Sequence, residues 1–90
     1  EVTLANHRQA DFERFERAVR DIAEIVACWS VGGGVDYVLK VMTRDIDAYQ
    51  RLVDELLERE LGIDRYFTYI VIKTVKDEAA LPLAELTQQG

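Results

Sequence analysis

Apolar positions along this chain alternate between two periods, and the same sequence of periods runs through twice. Val2-Thr3-Leu4-Ala5 alternates over a short span and predicts a strand. Asn6 to Ala10 is polar and turn-like, and Asp11 then offers a carboxylate able to accept a free N–H of a first helical turn. Phe12, Phe15, Val19 and Ile22 follow at helical spacing, with Ala18 and Ala23 between them. The opposite face carries Glu13–Arg17 and Glu16–Arg20, four residues apart with the acid first, the favourable order. Ile25 to Val31 is rich in β-prone residues and runs into Gly32-Gly33-Gly34, which predicts a hairpin turn with positive φ available. Val35 to Thr43 then alternates, with Val35, Tyr37, Leu39 and Val41 on one face and Asp36, Val38, Lys40 and Met42 on the other.

A second helix is predicted from Asp45 as N-cap, with Ile46, Tyr49, Leu52, Val53, Leu56 and Leu57 as its apolar stripe. Its wet face offers Asp47–Arg51, Arg51–Glu55 and Glu55–Arg59, and Gly62 is placed to end it in a left-handed cap. Arg65 to Val75 is the most β-prone stretch of all. After Lys76 the pattern weakens, so residues 1–83 read as one domain and 84–90 as a polar tail.

The order β-α-β-β-α-β predicts an α+β fold of ferredoxin-like type: a four-stranded antiparallel sheet with both helices on one face, because the crossovers are right-handed. Two helices cover one side of a sheet. Val38, Met42, Trp29 and both faces of the last strand leave apolar residues on the other, which predicts a sheet-to-sheet homodimer. The alternative cover is the C-terminal tail, over part of that face.

Composition narrows the functional classes. Ninety residues make one domain with a thin core, since a chain this short buries about 60–65% of its unfolded surface. No apolar run approaches the ~18 residues of a membrane span, and no signal-peptide pattern opens the chain. The net charge of −6 argues against a grip on nucleic acid by this segment, which would need a basic patch. A single cysteine, Cys28, cannot form an internal disulfide and suits a reducing, cytoplasmic setting. The missing initiator Met leads us to expect a segment upstream.

Catalytic chemistry finds little to work with. His7 is the only histidine, lies in a turn, and has no cluster at metal-ligand spacing around it. Cys28 sits within a strand and reads as a small buried hydrophobe. Asp54, Glu55, Glu58 and Glu60, beside Arg51 and Arg59, read as a solvated helix face. No phosphate loop or nucleophile elbow is present, and no cofactor or metal is expected. One loop stands out. Gly32-Gly33-Gly34 can turn backbone N–H groups toward a carboxylate, and Asp36 can balance an ammonium group, together the two charges of an amino acid. From the residues alone, a hairpin turn whose Asp36 satisfies backbone donors is the stronger reading.

The run Val26-Ala27-Cys28-Trp29-Ser30-Val31-Gly32-Gly33-Gly34-Val35-Asp36-Tyr37-Val38-Leu39-Lys40-Val41 resembles the effector domain of the Lrp/AsnC regulators, often called the RAM domain. That family has a Cys-aromatic strand, then Gly-x-x-Asp-Tyr, then an aliphatic strand, and Gly33-Gly34-Val35-Asp36-Tyr37 fits in place. Arg44-Asp45-Ile46-Asp47-Ala48-Tyr49 is similar to the family's helix start, and Gly62-Ile63-Asp64-Arg65, Thr68-Tyr69-Ile70-Val71 and Lys76 to its final strand. The likeness spans roughly Val2 to Leu83. Gly32 stands where the family commonly has Thr or Ser, and Leu61 precedes Gly62 where many members have Pro.

The resemblance implies a non-catalytic domain that senses an amino acid and assembles into dimers and larger rings up to octamers. It implies an effector site at Gly33, Gly34, Val35 and Asp36, with Ile46, Tyr69, Ile70 and Val71, at contacts between dimers. It also implies DNA binding through an N-terminal helix-turn-helix domain, none of which lies within these ninety residues. Two other readings compete: a ligand-free assembly module, and a dimeric α+β-barrel monooxygenase of the same topology, for which Tyr37, Tyr69 and Trp29 are the candidate reactive residues.

Overall fold

The computed structural model describes residues 1–76, and the tail expected at 84–90 lies outside them. Six elements follow in the order β1 (Val2–Leu4), α1 (Gln9–Arg20), β2 (Ile25–Ser30), β3 (Tyr37–Val41), α2 (Ile46–Glu58) and β4 (Ile63–Tyr66). They form one antiparallel sheet ordered β2-β3-β1-β4, the ferredoxin-like arrangement expected. Phe15 and Val19 of α1 and Leu52 of α2 join Val2, Leu4, Ile25, Tyr37 and Leu61 in a single core. Both helices therefore cover the same face.

Helix boundaries follow local hydrogen bonding. Asp45 caps α2 as expected, its Oδ1 accepting Ala48 N–H at 2.7 Å. Asp11 is not the cap of α1. The helix begins two residues earlier, at Gln9, because the Arg8 carbonyl already accepts the amides of Asp11 and Phe12. From the third helical position the Asp11 carboxylate reaches back to Arg8 N–H (3.2 Å) and to the Arg8 guanidinium (2.9 Å). Gly62 does not end α2 either. The helix closes at Glu58, and the left-handed residue after it is Glu60 (φ 52°), while Gly62 (φ 77°) turns the chain into β4. Of the helix-surface pairs, Glu16–Arg20 (3.7 Å) and Glu55–Arg59 (3.1 Å) form, and Glu13 instead accepts from Gln9 (3.0 Å).

The last strand is shorter than its composition predicts. Pairing runs from Ile63 to Tyr66 and ends with a reciprocal contact between Glu1 and Phe67. Among the described residues β4 lies at the sheet edge beside β1 alone, and residues 68–76 pair with no strand. They remain irregular and exposed, Tyr69 by 72% and Ile72 by 96%. The uncovered sheet face is also more mixed than expected. Strand alternation and the pairings Trp29↔Val38, Ala27↔Lys40 and Thr3↔Arg65 place those six residues, with Phe67, on it.

Candidate functional site

Ser30 pairs with Tyr37, so residues 31–36 form a six-residue connection at one end of the sheet. Of its three glycines only Gly33 uses the left-handed region (φ 112°), and a Cβ on any of them would meet no atom within 4 Å. The loop is open to solvent, as a contact surface requires. Its far end is tightly fixed. Asp36 N–H donates to the Val2 carbonyl (2.9 Å), the Asp36 carbonyl accepts Val31 N–H (3.0 Å), and Asp36 Oδ2 accepts Leu4 N–H (2.8 Å). The backbone donor of Leu4 holds the Asp36 carboxyl below the usual carboxylate range, against a smaller opposing effect of burial, and His7 adds to the lowering. Asp36 thus does satisfy a backbone donor, and its Oδ1 has no protein partner among the described residues.

Behind the loop, Tyr37 is 2% exposed and stacks on Phe15 with ring centroids 4.6 Å apart. Its hydroxyl donates to Glu16 Oε2 at 2.6 Å. Burial, reinforced by the neighbouring Glu16 carboxylate, pushes the Tyr37 hydroxyl far above its ordinary pKa. A tyrosine held neutral and fully enclosed anchors the loop to α1 and is no surface reagent. Cys28 is half-buried against the core, and burial raises its thiol pKa, which disfavours the nucleophilic thiolate. Among the described residues no group of three His, Cys, Asp or Glu side chains could hold a metal ion, and no helix is long and apolar enough to cross a membrane.

The remaining site residues lie elsewhere. β3 runs away from the glycine loop, and α2 starts beyond its far end with Ile46 exposed. Tyr69, Ile70 and Val71 follow β4, which is parallel to β3 across β1 and whose last residue, Tyr66, lies opposite Val2, as does Tyr37 at the start of β3. A hydrogen bond between the Tyr49 and Thr68 hydroxyls ties this segment to the first turn of α2. Within one chain the structure therefore links the start of α2 to the segment that carries Tyr69–Val71 and shows no hydrogen bond from either to Gly33–Asp36 among the described residues. Ile46 is divided from Gly33–Asp36 by the length of β3, about 13 Å at ~3.3 Å per residue. His7 and Glu16 were not read from the sequence as parts of this region. Each lies more than twenty residues from its partner and meets it only once β1 pairs with β3 and α1 packs above.

A sheet of this order with two helices on one face is the ferredoxin-like architecture, here with a fixed glycine loop before β3. The chain belongs to the Lrp/AsnC family: the model of the Lrp/AsnC ligand binding domain matches residues 1–81. It is 51% identical over 80 residues to the transcriptional regulatory protein DoeX of Halomonas elongata, an alignment covering 89% of this chain and 51% of that protein. An AsnC family transcriptional regulator from Agrobacterium tumefaciens superposes with a TM-score of 0.81 at 26% identity, over 94% of this chain and 55% of the other. A transcriptional regulator from Neisseria meningitidis, solved as an L-Met complex, superposes with a TM-score of 0.79 at 27% identity, with the same coverage. The chain thus spans about half the length of these relatives.

Proposed function

We propose that this domain senses an amino acid and couples its binding to assembly, as part of a regulator that reads DNA through a separate helix-turn-helix domain. The observation that carries this reading is the division of the site. Gly33, Gly34, Val35 and Asp36 supply backbone donors and a carboxylate in the loop before β3, whereas Ile46 after β3 and Tyr69, Ile70 and Val71 after β4 supply separate, exposed apolar surface. An effector needing both halves takes one from each of two copies, so binding and assembly become the same event. The exposed apolar residues Trp29 and Phe67, and the unpaired β-prone segment after β4, support a homodimer in which a second copy covers them, with higher oligomers built from such dimers. The L-Met bound by the Neisseria relative supports an amino acid as the ligand class. Regulation of transcription places such a protein in the cytoplasm, without a catalytic role.

Thermal melting with each of the twenty amino acids, paired with light scattering, tests the reading. A selective rise in melting temperature with a change in particle mass is expected. No shift with any amino acid at constant mass would leave a ligand-free assembly module as the better account. Asp36→Asn probes the loop more cleanly than Asp36→Ala, since Asn retains an acceptor for Leu4 N–H while removing the charge. Loss of effector affinity with an unchanged dimer is expected, and undiminished affinity would remove Asp36 from the site.

A further inference from the structure

Asp36 has one more partner, and it is the chain's single histidine. His7 Nε2 lies 2.9 Å from Asp36 Oδ2, and because an ionised carboxylate can only accept, Nε2 is the donor. The imidazole also stacks on Phe12 (centroids 5.8 Å apart), which in turn stands edge-on to Tyr37 at 6.1 Å. The ring is 55% exposed and yet held on two sides, by α1 and by the last residue of the glycine loop. A neutral imidazole donates one hydrogen bond to Asp36 and adds no charge. A protonated one makes the same bond and sets a full positive charge beside the carboxylate.

We propose that His7 is a positioning residue for the effector loop: neutral, it aims Asp36 and leaves its charge available to a ligand ammonium group, and protonated, it neutralises that charge and weakens effector binding. The proposal rests on the effector reading above and adds its regulation by protons. The groups facing His7 are the Asp36 carboxylate from the β2–β3 connection and the Phe12 ring from α1. Arg8, the next residue, is paired with Asp11 at 2.9 Å, and Glu16 is bonded to Tyr37 and lies beyond Phe12. Imidazole is the side chain that ordinarily titrates between pH 5 and 8. The α-amino group of Glu1 is bonded to the Phe67 carbonyl and is common to every variant.

The magnitude follows from the charge. A unit charge about 4 Å from a competing ammonium group, in water-like surroundings, changes affinity by about fivefold. The test titrates the ninety-residue chain with L-methionine at about pH 5.5 and about pH 8, in the wild type and in His7→Gln, which keeps a donor and does not titrate. In parallel, the Leu4 and Asp36 amide resonances are followed against pH without ligand. The wild type is expected to bind about fivefold more weakly at the lower pH while the variant binds alike at both, with the two amides titrating together only in the wild type. A wild-type affinity flat in pH, or a pH dependence that survives in His7→Gln, overturns the proposal while leaving the effector reading standing. If L-methionine binds at neither pH, the effector reading fails for that ligand and the amides decide the rest: a shared titration lost in His7→Gln supports the clasp, and its absence overturns it.

Discussion

Replacing Tyr37 with Phe isolates one hydrogen bond in the middle of the core. Phe fills the same space, keeps the stack on Phe15 and the edge contact with Phe12, and leaves no cavity. The change removes only the hydroxyl that donates to Glu16 Oε2 at 2.6 Å. A hydrogen bond to an ionised acceptor contributes about 1.5–3 kcal/mol net. The Glu16 side chain is 38% exposed, so in the variant its carboxylate regains water, and the expected loss falls to about 1–2 kcal/mol. For a domain of this length each kcal/mol lowers Tm by about 4–8 °C. Urea unfolding followed by circular dichroism, at matched protein concentration because association would raise the apparent stability, should show a lower midpoint at unchanged slope. Glu16→Gln alone and combined with Tyr37→Phe completes a double-mutant cycle. A loss below about 0.5 kcal/mol, or a cycle with no coupling, would refute the claim that this bond anchors the loop to α1.

The same tyrosine sets an alkaline limit: its pKa is raised on folding above the ordinary value of 10.0, so its contribution is complete below that pH and is lost as pH rises through the folded value. Wild type should therefore lose stability above about pH 10 more steeply than Tyr37→Phe, and equal slopes in a pH series of urea melts would count against it. Glu60 occupies the left-handed region at φ 52°, so Glu60→Gly should raise stability by about 1 kcal/mol, and an unchanged urea midpoint would contradict that. Asp45→Ala removes the acceptor for Ala48 N–H and should cost about 1 kcal/mol, visible as a lower midpoint and weaker helical ellipticity.

The fold was legible where side-chain period and tertiary context agree. Phe15 and Val19 at helical spacing, Leu52 and Val53 in the second stripe, and the Tyr37-Leu39-Val41 alternation all reach the core side they predict. Boundaries were less legible because they depend on which backbone groups find partners. Asp11 has the chemistry of an N-cap, yet the Arg8 carbonyl closes the first turn and makes it an interior residue. Gly62 suits a left-handed cap, yet Glu60 takes that conformation two residues earlier. The stretch from Thr68 to Val75 has strand composition without strand pairing among the described residues, because propensity describes a fit to a pleated surface beside a neighbouring strand.

The proposed site follows the same logic at a larger scale. Its residue types were readable: a flexible glycine run, a carboxylate one turn on, and a tyrosine behind it. What period and motif cannot express is which end of the sheet each reaches, since that follows from strand order. With β1 between β3 and β4, the two flanking strands run parallel, and β3 carries the chain away from the hairpin loop toward Ile46. Any ligand that needs the donors of Gly33–Asp36 together with the apolar surface of Ile46 must bridge about 13 Å of β3 or be met by a second chain. The second requires no distortion of a core in which Tyr37 and Leu4 are already enclosed, and the unpaired segment after β4 still has backbone groups to share. The coupling of assembly to sensing proposed above would then follow from the strand order.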